Sequence, residues 1–327
     1  MRVLVTGAGG FIGRHLVADQ LKRGRQVTAV DLHVESLRSL AGNPNLQTVV
    51  GSFTDEALID PVLAGQDACF HLASAHLETG VGDDYFWQVN VDGTRRFVQQ
   101  CHQAGVKRFV HCSSVGVFGD IEVPPADETS ACNPDIAYEK TKLAGETAVL
   151  DYARETGYAV TVVRPAWVYG PHCQRTEKLF RTIKKGRFFF VGNGRTLRHP
   201  IYIDDMVNGF EVAAQHENAL CDVFIMAGPR AVTLQELADE IATVTSSASP
   251  RLKLPKALVW PAIYTLEAGF GVIGRKPPFT RRSMKFFTGN TAFKTGKAAN
   301  ILGYRATIDL AEGIRRTYDW MKAKGSL

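Results

Sequence analysis

Short apolar runs, many of them β-branched, punctuate the first half of the chain at Val3-Thr6, Gln26-Val30, Gln47-Val50, Ala68-Leu72, Arg108-Cys112 and Ala159-Arg164. Stretches with helical spacing separate them, the alternation expected of a parallel sheet wound with crossover helices. Between the first two runs, Ile12, Leu16, Val17 and Leu21 recur at helical spacing and Gly24 follows. A helix therefore starts inside a glycine-rich stretch and stops at a residue suited to the position after a helix end. Tyr138 to Thr156 reads as a long helix ending before Gly157. Beyond Pro171 the pattern breaks into shorter pieces. These are a basic helix near Glu177-Lys185, a turn at Gly192-Asn193-Gly194, an apolar strand at His199-Ile203 leading into Asp204-Asp205, a strand at Val223-Ala227 and a helix opened by the capping box Thr233-Leu234-Gln235-Glu236.

Composition narrows the class without changing this picture. The 327 residues are 45% hydrophobic and 22% charged, as in an ordinary globular protein. The formal charge of +5 comes without a long basic run, so nucleic acid is not an expected partner. The six cysteines lack both the paired spacing of a zinc site and the density of a secreted scaffold. They read as reduced thiols of a cytoplasmic protein, with no metal expected. The N-terminal strand begins too early to leave a signal sequence. Residues 254–274 are apolar, but Lys256, Pro261 and Glu267 interrupt them, which argues against a span and leaves peripheral membrane contact open.

The chemistry starts after the first strand, where Gly7, Gly9 and Gly13 stand at the spacing of a dinucleotide-binding turn that opens a helix. Gly7 suits the tight turn, Gly9 the approach of a pyrophosphate and Gly13 close packing of helix on strand. The helix N-terminus adds oriented N–H groups. Asp31, closing the second strand, can accept from both hydroxyls of an adenosine ribose, and neither Leu32 nor His33 offers the cation that a 2′-phosphate needs. NAD is the expected cofactor; the alternative for Asp31 is a helix cap. The expected architecture is a Rossmann-type α/β doubly wound parallel sheet over residues 1–171. A smaller, mostly C-terminal α/β substrate-binding part occupies 172–327, with segments near 199–227 returning to the first.

Tyr138 and Lys142 lie four apart on the long helix and so share a face. A phenol is a poor base at neutral pH, but an adjacent ammonium and a positive nicotinamide both favour its phenolate, which makes Tyr138 a candidate general acid and base. These residues, together with Thr6-Gly7-x-x-Gly10-Phe11-Ile12-Gly13, His71-Leu72-Ala73, Asn90-Val91-Asp92-Gly93-Thr94, Ser113-Ser114 and Arg164-Pro165-x-x-Val168-Tyr169-Gly170-Pro171, resemble the extended short-chain dehydrogenase/reductase family of NAD-dependent epimerases and dehydratases. The resemblance runs through His199-Pro200-Ile201-Tyr202-Ile203-Asp204-Asp205 to the tail at Leu302-Gly303-Tyr304. It implies that Ser114 holds the substrate oxygen, that Lys142 binds the nicotinamide ribose as well as tuning Tyr138, and that Asn90 supports the site. It further places Gly10, Phe11, Ile12, Leu72, Ala73, Ser74 and Pro165 along the cofactor. Ser52 and Phe53 follow Gly51 where many relatives carry an Asp, a departure at the adenine. Relatives often dimerise through two helices, so a homodimer is implied, with the Tyr138 helix a candidate for one of them.

The catalytic residues serve either net dehydrogenation or epimerisation, and the small-molecule substrate must be read from other contacts. Arg198 stands where related epimerases bind a sugar-nucleotide diphosphate, which a guanidinium can do in bidentate fashion; the alternative is a surface arginine. Trp167 replaces an Asn frequent in sugar-nucleotide enzymes and Phe118 a frequent Tyr, so the cleft reads as less polar. The stretch 254–274, with Pro277 to Arg282 and Phe286-Phe287-Thr288, resembles 3β-hydroxysteroid dehydrogenase-like members. An NAD-dependent oxidoreductase acting on an apolar, hydroxysteroid-like secondary alcohol is the leading expectation. A nucleotide-sugar epimerase comes next, and a catalytically silent NAD-sensing protein last.

Overall fold

The computed structural model describes residues 1–76, 81–261, 263, 270 and 281–327. Its centre is a seven-stranded parallel sheet built from β1 (Arg2–Thr6), β2 (Gln26–Asp31), β3 (Leu46–Val50), β4 (Ala68–His71), β5 (Arg108–Cys112), β6 (Val160–Pro165) and β7 (Asp222–Met226), in the order β7-β6-β5-β4-β1-β2-β3. The chain departs in opposite directions from β1, so the carboxyl ends of β1 and β4 diverge around a crevice where ligands of such sheets bind.

The strands read as near-continuous apolar runs because both sheet faces are covered. On one face Val3, Val5, Phe70 and Val110 belong to the core that includes Leu16 and Val17 of α1 (Phe11–Lys22). On the other, Leu4, Cys69, Phe109 and Val162 pack with Ile59 of α2 (Glu56–Leu63), Phe97 of α4 (Thr94–Gln103) and Val149 of α5 (Ala137–Thr156). A short α3 (Asp83–Trp87) precedes α4. The second half contributes α6 (Gln174–Lys184), α7 (Ile203–Gln215), α8 (Leu234–Val244) and short two-stranded ribbons that pair Trp167–Tyr169 with Pro200–Tyr202 and Val232–Thr233 with Leu197–Arg198.

Two departures from the sequence reading bear on the site. The strand expected at His199-Ile203 is Pro200–Tyr202, and Ile203 already belongs to α7, whose first turn carries Asp204 and Asp205 where the helix dipole favours acids. Between α3 and α4, Gln88–Gly93 winds as a π-helix, a widened turn that the apolar pattern does not announce. The capping box at Thr233 forms as expected, with Glu236 reaching back to the Thr233 amide. Within the apolar stretch 254–274, residues 262, 264–269 and 271–274 lie outside the described residues, as do 277–280.

Candidate active site

The first βα turn is shaped by close backbone approaches. Gly7 has φ +70°, and a Cβ there would sit 2.6 Å from the Ala73 amide nitrogen, so the turn can nest against the end of β4 only without a side chain. A Cβ on Gly9 would meet the His33 carbonyl oxygen at 1.8 Å. Sequence reasoning assigned that glycine to a pyrophosphate; the structure gives it a prior task, seating the turn against the loop after β2. Asp31 completes this joint. One carboxylate oxygen accepts from the Gly9 amide at 2.9 Å and the other from the His33 amide at 3.0 Å. The next helical turn, Glu35–Leu40, has Val34 at its N-cap and no side-chain cap, so the alternative of Asp31 as a cap fails.

From this turn a cleft of about 1000 Å³ runs along the carboxyl ends of the strands. Gly7, Gly9, Gly10, Phe11, Ile12 and Gly13 line its start, with Asp31, Ser52 and Phe53 beside them; Leu72, Ala73 and Ser74 line it further on, and Ser114, Tyr138, Lys142 and Pro165 stand at the far end. The N-terminus of α1, capped by Gly10 without a side-chain hydrogen bond, opens into it. A free helix N-terminus for phosphates and a strand-end carboxylate for a ribose are the donors and acceptors that a dinucleotide requires. The residues present fit NAD.

At the far end, α5 begins at Ala137 and presents Tyr138 and Lys142 to the cleft. Lys142 is 3% exposed, and its Nζ donates to the Cys112 carbonyl at 2.6 Å, which fixes it at the end of β5. Burial pulls its pKa below the usual lysine value, opposed in part by Cys112 and Glu146. Ser114 lines the cleft and caps the turn Val115–Phe118, its Oγ accepting from the Gly116 amide at 3.0 Å. Capping the turn uses a lone pair of this oxygen and leaves its proton able to be donated to a ligand.

Two residues expected in the cleft do not line it. Asn90 is 2% exposed; its amide donates to the Ala75 carbonyl and Thr141 Oγ1, and its Oδ1 accepts from the Ala75 amide at 2.7 Å. It ties the chain after β4 to α5 from behind. Phe118 is buried under the Arg164 guanidinium, 4.9 Å from its ring centroid, and against Phe293. Its ring belongs to the hydrophobic core.

Trp167 and Arg198 do line the cleft. The indole packs edge-on against Phe286, ring centroids 5.9 Å apart, to form an apolar wall. Arg198 is not at the surface: at 4% exposure its guanidinium donates to the carbonyls of Leu197, Gly289 and Phe286 and to Thr291 Oγ1. Burial lowers its pKa to about 10.

Sequence reasoning missed a pair at the mouth. His76 stacks at a tilt on Tyr138, ring centroids 4.4 Å apart, and Arg175 Nη2 lies 2.8 Å from His76 Nε2. The two residues are 99 positions apart, so no local pattern could have joined them. Among the described residues, no helix is long and apolar enough to cross a membrane.

Residues 3–225 match the profile of the NAD dependent epimerase/dehydratase family. The chain is 30% identical to a 3-beta-hydroxysteroid dehydrogenase of Mycolicibacterium neoaurum, covering 99% of this chain and 94% of that protein. It is 27% identical to the mouse (Mus musculus) decarboxylating sterol-4-alpha-carboxylate 3-dehydrogenase, covering 96% and 89% respectively. The structure of a double mutant of the dTDP-glucose 4,6-dehydratase from Streptomyces venezuelae, solved with NAD bound, superposes with a TM-score of 0.80 at 25% identity over 98% of this chain and 97% of that one.

Proposed function

The chain belongs to the NAD dependent epimerase/dehydratase family, within the extended short-chain dehydrogenases/reductases, with NAD as its cofactor, and on that premise we propose that it oxidises or reduces a secondary alcohol carbon on an apolar, hydroxysteroid-like substrate. The observation that carries this reading is that Tyr138 and Lys142 line the same cleft as Trp167, which packs against Phe286. In this reading residues 1–171 chiefly hold the cofactor and 172–327 chiefly the substrate.

When bound, NAD would supply the hydride acceptor for oxidation of the carbinol carbon, and its reduced form the hydride donor for reduction of the ketone. The chain's own part is the proton. In oxidation Tyr138, as phenolate, accepts the hydroxyl proton; in reduction the phenol donates it. Ser114 donates to the substrate oxygen as it gains charge. Lys142, pinned on the Cys112 carbonyl, would hold the ribose side of the cofactor, and its ammonium, four residues along the helix from Tyr138, favours the phenolate. Asp31 and the N-terminus of α1 bind the adenosine ribose and pyrophosphate.

The sterol enzymes among the relatives support an apolar substrate. The runner-up, epimerisation of a UDP-sugar, needs Arg198 for a diphosphate, and that guanidinium already serves several backbone carbonyls. Incubation with NAD and either 3-hydroxysteroids or UDP-sugars, following NADH absorbance and sugar composition, tests the choice. NADH formation on steroids is expected; sugar epimerisation with no steroid turnover overturns it. The same reading makes the chain a homodimer through α5, beside which a groove runs between Trp87 and Leu143. Sedimentation of the purified protein tests that assignment.

A further inference from the structure

Two stretches in the second half of the chain carry cations and no acid. Lys178 to Ile203 includes Lys184, Lys185, Arg187 and Arg195 without an Asp or Glu, and Ile241 to Leu266 includes Arg251, Lys253 and Lys256, again without one. The fold lays the two side by side. Phe190–Val191 pairs in parallel with Lys253–Leu254, the Phe190 amide donating to the Leu252 carbonyl and the Gly192 amide to the Leu254 carbonyl. Arg187 leads into one strand of this ribbon and Arg251 into the other. Lys256 then reaches back to Gly192, where an added Cβ would meet its Cε at 3.3 Å.

Lys184, Lys185, Arg187, Arg195, Arg251, Lys253 and Lys256 are all exposed, and none forms an ion pair among the described residues. Elsewhere cations are matched: Arg315 and Arg316 meet Glu312, Asp319 and Asp204. The seven unmatched cations exceed the net charge of the whole chain, +5, so the rest of the molecule is net negative. Leu252 and Leu258 stand among them, 59% and 69% exposed. A nucleic-acid duplex would satisfy the cations and leave these leucines in water. A lipid surface takes both, headgroup charge meeting the cations and the acyl boundary the leucines. Phe188 and Phe189, next to the ribbon, pack on Phe287, whose neighbour Phe286 lines the cleft.

We infer that the face built from Lys184, Lys185 and Arg187 beside Arg251 to Leu258 is a docking surface for a membrane that carries anionic lipid. The cations hold the headgroups, and Leu252 and Leu258 enter the boundary of the acyl chains. The sequence left peripheral contact open on the apolar stretch 254–274. The ribbon shifts that contact to a cationic surface that joins the end of α6 to residues 251–258. Docking is independent of which alcohol the cleft accepts. If the substrate is the apolar one proposed above, and the point rests on that reading, docking brings the cleft to the phase in which the substrate dissolves.

The test is flotation of the full chain with vesicles of phosphatidylcholine alone and of phosphatidylcholine mixed with phosphatidylserine. Binding to the mixed vesicles only, falling as salt is added, is expected. Each Lys or Arg near an anionic surface contributes about fivefold, so the combined variant Lys184→Gln, Lys185→Gln and Arg187→Gln should bind about 100-fold more weakly. Leu252→Ser with Leu258→Ser should lose about tenfold at unchanged charge. A control that removes the same charge elsewhere, Lys22→Gln with Arg38→Gln and Arg305→Gln, should bind as the parent does. NADH fluorescence should report the same cofactor affinity in all four proteins, which shows that each is folded. Equal binding to both kinds of vesicle, or equal losses in the control and the Lys184 variant, overturns the inference. So does binding to a DNA duplex in place of the vesicles. None of these outcomes bears on turnover of steroids or UDP-sugars, so the proposed function stands or falls separately.

Discussion

The two walls of the cleft hold their polar groups in different ways. On the sheet side, each functional side chain is braced by backbone close at hand: Asp31 by the amides of Gly9 and His33, Lys142 by the Cys112 carbonyl, the loop after β4 by both polar ends of the Asn90 amide. On the α6 side, the side-chain hydrogen bond of Arg175 among the described residues is to the His76 ring. Backbone bracing fixes a group before any ligand arrives, which is what proton transfer and cofactor binding require. A single exchangeable contact leaves a group able to change partners, which suits a part of the site that must tell substrates apart.

The sharpest break in this contrast should come from Tyr138→Phe. Loss of the proton-transfer group is expected to lower kcat by about 10²- to 10⁴-fold with little change in NAD affinity, checked by steady-state kinetics beside calorimetric titration with NAD. Equal losses in both would mean that Tyr138 shapes the cleft and moves no proton. Next in size, Asp31→Ala should weaken NAD by roughly 10- to 100-fold, the value of a hydrogen bond to a charged group, and relax rejection of NADP. An unchanged NAD/NADP ratio would remove Asp31 from the adenosine ribose.

Asn90→Ala probes bracing that never touches a ligand. It leaves the Ala75 amide and carbonyl unpartnered by that side chain in a buried place, so unfolding in urea should show a loss of about 1–3 kcal/mol. The smallest effect is expected on the opposite wall: Arg175→Gln, at an exposed side chain, should move the unfolding free energy by no more than about 0.5 kcal/mol. A loss as large as that of Asn90→Ala would show that the α6 wall is braced too, and would erase the contrast.

What could be read from the sequence follows the same division. The glycine turn, Asp31 and the Tyr138-Lys142 pair were legible because each acts within one element or across one tight connection, where spacing determines direction. Depth was not legible. Asn90 and Phe118 stand at positions along the chain that flank the site, yet they do not line it: Asn90, within a π-turn, is bonded to Ala75 and Thr141, and Phe118 is enclosed by Arg164 and Phe293. Arg198 could be read as a diphosphate ligand or a surface residue, and the carbonyls that claim it lie about ninety positions further on. His76 and Arg175 carried no mark at all, since their meeting depends on how α6 is carried over the ends of the strands.

The π-turn at Gln88–Gly93 also constrains how this chain can vary in length. A widened turn holds one residue more than an α-helical register would place there. Deleting a single residue between Gln88 and Gly93 would let the segment relax into ordinary α-helix, with the flanking helices keeping their faces and the residues within the turn, Asn90 among them, changing theirs. Asn90 would then leave the Ala75 backbone, and the connection that carries His76 to the phenol would lose its anchor. Exchanges of one side chain for another can pass through this region at modest cost, whereas a one-codon deletion would disconnect the cleft from the helix behind it.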